Sequence, residues 1–382
     1  MTSQQKPQNE EILYISFNQD SSYISVGTQN GYKIFSSYPI YNYFNRNLKG
    51  GIGIIEMLYK SNILALVGGG KNPKFPENKL IIYDDKKQKK ISEFIFISNI
   101  INIKLKKDKI FSVTNTKIYI FNFKTYQNID IIETIQNPKG LFSISNNPKV
   151  NIISFPIINN KNNQKGKIKL KNYDKGKEII ITLDENIISY MTINNEGTII
   201  VIACEKGTMI KTYRTIDGLF LQEFKRGIEK TEINFMTFDN YDYFLAVCSQ
   251  RGTIHIWSMK SSIKKLKEIE LGNVNFINEE NEIEYDVLNN NSEKNKNLYY
   301  TLPENKSSFF NFLGVKSERS FAQFRLEDEK YLYKCGFCNN SSSIVAINSM
   351  GKYVIGSIDL KKGEECIIED FGYLNEIKIE NK

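Results

Sequence analysis

The stretch MTINNEGTIIVIACEKGTMIKTYRT, Met191–Thr215, carries a short strand, a polar turn, an apolar strand, a Glu-Lys-Gly-Thr turn and a further strand. MTFDNYDYFLAVCSQRGTIHIWSM, Met236–Met259, repeats the plan, with FLAVC in place of IIVIAC and Gln-Arg-Gly-Thr in place of the second turn. The same pattern extends in both directions. Upstream lie SFNQDSSYISVGTQNGYKIFSS (Ser16–Ser37), EMLYKSNILALVGGG with NKLIIYDD ending at Asp85, KLKKDKIFSVTNTKIYIFNF (Lys104–Phe123), and FSISNNPKVNIISFP near Phe142, resuming at GKIKLKNY. Downstream lies GFCNNSSSIVAINSMGKYVIGSI, Gly336–Ile358.

Val26, Leu66, Val113, Ile153, Ile202, Val247 and Val345 occupy equivalent central positions, and five of their six intervals fall between 40 and 49 residues. Units of about 40–45 residues with four short strands are the signature of β-propeller blades. The expected fold is therefore all-β, a seven-bladed WD40-like propeller over residues 11–375, with a flexible N-terminus at 1–10 and a C-terminal tail at 376–382. A β-sandwich plus a second β domain is the alternative, but sandwiches need no fixed period of this length. The Trp-Asp dipeptide of ordinary WD40 blades is missing, and Trp257-Ser258 comes nearest to it.

Composition agrees with a large soluble β protein. Of 382 residues, 41% are hydrophobic and 25% charged, and aromatics reach 12% with a single Trp, which favours strands. No run of 18 apolar residues is present, and the N-terminus lacks an apolar signal segment. Five scattered cysteines, an odd number, fit a reducing cytoplasmic compartment. Cys335-x-x-Cys338 is a lone pair without a histidine partner, so neither a metal nor a redox role is assigned to it.

The sixth interval, 98 residues, contains one insertion, Ser261 to Lys316. Its middle is polar and of low complexity, which predicts a long mobile loop in blade 6. At its end SSFFNFLGVK gathers Phe309, Phe310, Phe312, Leu313 and Val315. Such a cluster either folds back as core or enters an apolar medium.

The sharpest local feature is Phe224-Lys225-Arg226-Gly227. Adjacent cations on an extended chain point to opposite sides, so two anion pockets can lie side by side. Arg offers a planar fork suited to phosphate and Lys a point charge. An isolated basic pair is more often simply solvated. Here, however, two similar turns flank it, Glu205-Lys206-Gly207-Thr208 and Gln250-Arg251-Gly252-Thr253, each with a cation, a Gly and a hydroxyl. His255, the only histidine, shares a strand face with Thr253. Gly68-Gly69-Gly70-Lys71 does not satisfy the phosphate-loop spacing. One histidine leaves little room for a triad or a His-rich metal site, and no carboxylate pair stands out, so catalysis is not expected. The formal charge of +8 biases the chain towards anionic partners, and RNA is disfavoured because no aromatic platforms interleave with the basic turns.

At these residues the sequence resembles the PROPPINs, the WD-repeat family that binds phosphoinositides, whose hallmark Phe-Arg-Arg-Gly is matched by Phe224-Lys225-Arg226-Gly227. SFNQDSSYISVGTQNGYKIF, CEKGTMIKTY, QRGTIHIW and SERSFAQFRL (Ser317–Leu326) extend the match, and Gly50–Asp85 resembles the subgroup of human WIPI proteins three and four. The resemblance implies two rim sites for phosphatidylinositol 3-phosphate and 3,5-bisphosphate. Site 2 comprises Arg226, Ser249, Arg251, Thr253, His255, Arg319 and Ser320. Site 1, expected to be weaker, comprises Lys206, Thr208, Lys211 and Lys225. Lys225 and Cys204 depart from the family's Arg and Ser, and Asp184-Glu185 stands about where many members carry a His. The resemblance further implies that Phe309, Phe310, Phe312, Leu313 and Val315 form a membrane wedge, each buried side chain contributing about 1.5–3 kcal/mol. It implies no cofactor, a monomer in solution, and peripheral attachment to autophagosomal precursor or endosomal membranes. A lipid-transfer partner of the Atg-two type would bind at the early blades. A protein-interaction scaffold with weak lipid binding is the competing reading.

Overall fold

The computed structural model describes residues 11–157, 166–183, 187–270, 298–300, 317–326 and 330–379. Consecutive antiparallel meanders fill most of it. The first sheet is β1–β4 (Ile12–Phe17, Tyr23–Thr28, Gly31–Ser36, Asn42–Asn47), and the second is β5–β8 (Ile52–Met57, Ile63–Gly68, Lys79–Asp84, Lys89–Ile95). The third is β9–β12 (Asn102–Leu105, Lys109–Val113, Lys117–Asn122, Asn128–Glu133), and the fourth is β13–β16 (Ser143–Ile144, Ile152–Ile157, Lys167–Asn172, Lys177–Thr182). The fifth is β17–β20 (Ile188–Ile193, Ile199–Cys204, Met209–Arg214, Phe220–Lys225). The sixth starts with β21–β23 (Ile233–Phe238, Phe244–Ser249, Thr253–Ser258).

Helix α1 (Lys260–Glu270) follows, then β24 (Leu298–Tyr300) running parallel to β16, and β25 (Glu318–Arg319). β26 (Ala322–Arg325) lies beside β23 as the fourth strand of the sixth sheet. β27–β30 (Tyr333–Cys338, Ser343–Asn348, Lys352–Asp359, Gly363–Tyr373) form the seventh meander. This is an all-β, multi-sheet, propeller-like fold, as the period predicts.

All seven central residues read from the sequence fall in the second strand of their sheets, and none is more than 2% exposed. A strand covered on both faces has no polar side to show, which is why these strands read as apolar runs. The first, fifth and sixth sheets share one device in the turn between their first and second strands. Asn18, Asn194 and Asp239 each accept, through the side chain, the amide five residues on, that of Tyr23, Ile199 and Phe244 at 2.9, 2.8 and 2.8 Å.

The chain forms two compact units. One contains residues 1–140, 250–253 and 324–382, and the other residues 141–249 and 254–323. In the first unit, apolar clusters interleave the first with the second sheet (Ile34, Ile55, Leu66), the second with the third (Val67, Leu80, Ile103), and the first with the seventh (Val26, Phe35, Val345). In the second unit, clusters join the fourth to the fifth sheet (Ile168, Ile202, Tyr213) and the fifth to the sixth (Leu221, Phe224, Trp257).

Two of the segments bounded from the sequence are described in part. The insertion expected from Ser261 does not begin as loop: α1 packs Leu266, with Ile263 and Ile269, onto the cluster that holds Trp257. The C-terminal tail expected from 376 is instead docked as far as Ile379, which bridges Asn42, while Asn42 Nδ2 donates to Ile377 O at 3.3 Å. Residues 1–10 lie outside the described residues.

Candidate functional site

Phe224 and Lys225 end β20, and strand alternation sends their side chains in opposite directions. Phe224 is fully buried with its ring 5.6 Å from that of Trp257, whereas Lys225 is exposed. The segment Ser317-Glu318-Arg319-Ser320 returns from the insertion along the free edge of β20. There β25 pairs in parallel, Phe224 opposite Glu318 and Lys225 opposite Arg319. Paired residues share a face of a sheet, so Lys225 and Arg319 stand side by side. Arg319 is also exposed, and no carboxylate among the described residues pairs with either cation. The resemblance assigns Lys225 to site 1 and Arg319 to site 2.

Three contacts hold β25 in place. Trp257 Nε1 donates to Glu318 O at 3.3 Å, the Ser261 hydroxyl donates to the Glu318 carboxylate, and His255 Nδ1 lies 3.3 Å from Ser320 Oγ. Gln323 Nε2 donates to the same Ser320 oxygen at 3.1 Å. His255 does not stand on an open polar face, as its alternation with Ile254 and Ile256 suggests. It is buried and stacked on Trp257 with ring centroids 5.5 Å apart.

Arg226 is half-buried. Its amide donates to Thr208 O at 2.9 Å, its Nε to Gly207 O at 2.6 Å, and its Nη2 to Glu229 O. The turn Lys206–Thr208 is further closed by the Thr231 amide on Lys206 O at 3.1 Å. Gly207 sits at φ +56°, and a Cβ there would lie 1.9 Å from Thr231 O, so the turn requires glycine. By contrast, a Cβ on Gly227 would meet nothing within 4 Å among the described residues.

Of the remaining site 1 residues, Lys206 is exposed, while Lys211 faces Glu223 across the β19–β20 ladder with a 3.8 Å ion pair. Burial raises the Glu223 pKa and Lys211 opposes that rise. The sequence reading missed Glu223, although the hairpin register would have revealed it. Of site 2, Ser249 is buried at the end of β22, Arg251 is exposed in the following turn, and Thr253 opens β23. Asp184 and Glu185, and the cluster Phe309, Phe310, Phe312, Leu313 and Val315, lie outside the described residues.

Among the described residues no three His, Cys, Asp or Glu side chains form a group able to hold a metal. Cys335 and Cys338, three apart on β27, point to opposite faces of that strand. No described helix is long and apolar enough to cross a membrane.

Fold and surface together define a propeller-like β protein that gathers cations, rather than a nucleophile and base, along one strand edge. The chain belongs to the PROPPIN family, whose model it matches over residues 12–270, and whose members are non-enzymatic phosphoinositide-binding propellers of autophagy. It is 29% identical over 256 residues to autophagy-related protein 18e of Arabidopsis thaliana, and 32% over 256 residues to autophagy-related protein 18 of Dictyostelium discoideum. Each alignment covers 66% of this chain and 67% of the relative. The structure of Kluyveromyces lactis Hsv2 with complete loop 6CD superposes with a TM-score of 0.72 at 19% identity, over 95% of this chain and 99% of that one. A complex of KlAtg21 with the coiled coil of AgAtg16 gives a TM-score of 0.69 at 19% identity, over 95% and 99%.

Proposed function

We propose that this protein is a phosphoinositide effector that brings autophagy or endosomal machinery to membranes carrying phosphatidylinositol 3-phosphate or 3,5-bisphosphate. The observation that carries the reading is the juxtaposition of Lys225 and Arg319, two exposed cations on adjacent strands with no carboxylate partner among the described residues. A point charge beside a planar fork suits a phosphomonoester. Arg226, with Ser249, Arg251, Thr253, His255, Arg319 and Ser320, forms the dominant site. Lys206, Thr208, Lys211 and Lys225 form the weaker one, in keeping with Lys211 being partly neutralised by Glu223. Phe309, Phe310, Phe312, Leu313 and Val315 act as the apolar wedge, so that modest contacts combine as avidity.

The stretch Gly50–Asp85 supports placement near human WIPI proteins three and four, with a lipid-transfer partner of the Atg-two type at the early blades. Residence would be cytoplasmic, peripheral on autophagosomal or endosomal membranes. A protein scaffold is the second reading, favoured by the coiled coil held in the KlAtg21 complex.

Co-flotation with vesicles carrying phosphatidylinositol 3-phosphate, 3,5-bisphosphate, 4-phosphate or phosphatidylserine tests the reading. Flotation confined to the 3-phosphorylated lipids supports it. No flotation, or equal flotation with phosphatidylserine, favours the scaffold.

A further inference from the structure

β25 is only two residues long, too short to be held by its own ladder, yet it carries Arg319 to the edge of β20. What fixes it is Glu318. The Glu318 Cα is partnered with that of Phe224, its carbonyl takes the Trp257 indole N–H at 3.3 Å, and its carboxylate takes the hydroxyl of Ser261. Ser261 lies in the first turn of α1, whose apolar side is buried in the same cluster as Phe224 and Trp257. Ser261 and Glu318 also flank the insertion, one in the helix that follows β23 and the other in the strand that pairs with β20, 57 positions apart. One hydrogen bond thus ties both ends of the insertion, and the next residue along is the exposed cation.

We propose that Glu318 is a positioning residue: bound to Ser261 it locks β25 onto β20, which places the Arg319 guanidinium beside Lys225 for a phosphate. The inference rests on the phosphoinositide reading above and adds to it the part of the chain that builds the cation pair. It has an unusual sign. Glu318 is an anion next to an anion-binding residue, so Coulomb's law alone has its removal strengthen phosphate binding. Positioning has the opposite consequence.

The test is titration calorimetry of the full chain with a soluble headgroup, inositol 1,3-bisphosphate, with thermal unfolding run in parallel. Arg319→Ala lowers affinity about tenfold, the usual scale for a charge-assisted contact. Glu318→Ala lowers it by a comparable factor, and the double variant binds no worse than Arg319→Ala alone, because both changes remove one contact. Glu318→Gln keeps an oxygen acceptor for Ser261 and binds at least as tightly as the unaltered protein. Glu318→Ala binding as tightly as the unaltered protein, while Arg319→Ala is weakened, overturns the positioning role and leaves the phosphoinositide reading standing. No headgroup binding by the unaltered protein, or none lost in Arg319→Ala, overturns the reading and the inference with it. Should Glu318→Ala fail to fold, Ser261→Ala decides the matter: reduced affinity supports the latch, and unchanged affinity overturns it.

Discussion

Arg226 Nε donates to the carbonyl of Gly207 at 2.6 Å, so the guanidinium expected to bind phosphate also braces the turn before it. Loss of Arg226 therefore removes a cation and frees the Lys206–Thr208 turn at once. The Lys225 side chain braces no turn among the described residues: it is exposed, and Arg319 still stands at the strand edge when it is gone. Arg226→Ala is expected to abolish vesicle flotation and Lys225→Ala only to reduce it. Equal losses would end the asymmetry between the two sites.

Lys211 supplies a second, sharper comparison. Its ammonium lies 3.8 Å from the half-buried Glu223 carboxylate, which lessens the field it offers to a phosphate. Glu223→Gln keeps the shape and removes that charge. Headgroup affinity should rise, by about two- to fivefold given the partial exposure of the pair, and the gain should shrink as salt is added. Unchanged affinity at low salt would take Lys211 out of the site.

Much of this was legible in the sequence, for identifiable reasons. The central strands announce themselves because both faces are covered, and the hallmark segment is legible because its parts are contiguous. The start of the insertion was not, since Ile263, Leu266 and Ile269 are spaced among Lys260, Lys264, Lys265 and Lys267, and only the packing against Leu221 and Trp257 identifies the apolar side. The role of Glu318 was beyond reach for another reason. Its partners Ser261 and Trp257 lie 57 and 61 residues away, and no local pattern encodes such a meeting.

Asp242 gives the fold a pH dependence. It is buried, and it accepts Asn194 Nδ2 and the amides of Asn195 and Glu196 at 3.0, 2.9 and 2.9 Å. Burial pushes its pKa from 3.8 up to about 6, with the Asn195 and Glu196 amides pulling it down and the charges of Glu196 and Asp239 adding to the rise. The folded protein thus holds this proton more tightly than the unfolded chain. The associated stability is fully present below about pH 4 and is lost as pH rises to about 6, roughly 3 kcal/mol in all. Asp242→Asn should flatten that part of the curve of stability against pH, measured by chemical denaturation in steps between pH 4 and 7. A slope that survives the substitution must come from another group.

Arg46 and Asp85 make a bidentate ion pair between the first two sheets, Nε to Oδ1 at 2.8 Å and Nη2 to Oδ2 at 2.9 Å, with the Tyr32 hydroxyl on Oδ1 at 2.6 Å. Asp85 is buried and Arg46 is 29% exposed, so the pair lies between the surface and buried limits. Asp85→Ala strands the Tyr32 hydroxyl, itself only 1% exposed, and should cost about 2–3 kcal/mol. Headgroup affinity should be unchanged, because no phosphate ligand is involved. A fall in affinity without a fall in the melting temperature would contradict this division of labour.

The two glycines around the cation pair should respond in opposite ways. Gly227 belongs to the hallmark motif, yet a methyl group on it would meet nothing within 4 Å among the described residues, so Gly227→Ala should shift stability by no more than about 0.5 kcal/mol. Gly207 is no part of that motif, yet its φ of +56° and the Thr231 carbonyl 1.9 Å from the added carbon leave no room for alanine. Gly207→Ala forces the turn away from Thr231 and costs about 1–3 kcal/mol of strain. The Gly207 carbonyl is also the acceptor for Arg226 Nε, so headgroup affinity should fall together with the melting temperature. Melting curves and calorimetric titration of the two variants, run side by side, decide it. If Gly227→Ala loses affinity while keeping its stability, the open space over Gly227 is where the ligand approaches the backbone; if both properties stay intact, the motif glycine is dispensable and the constraint lies in the neighbouring turn.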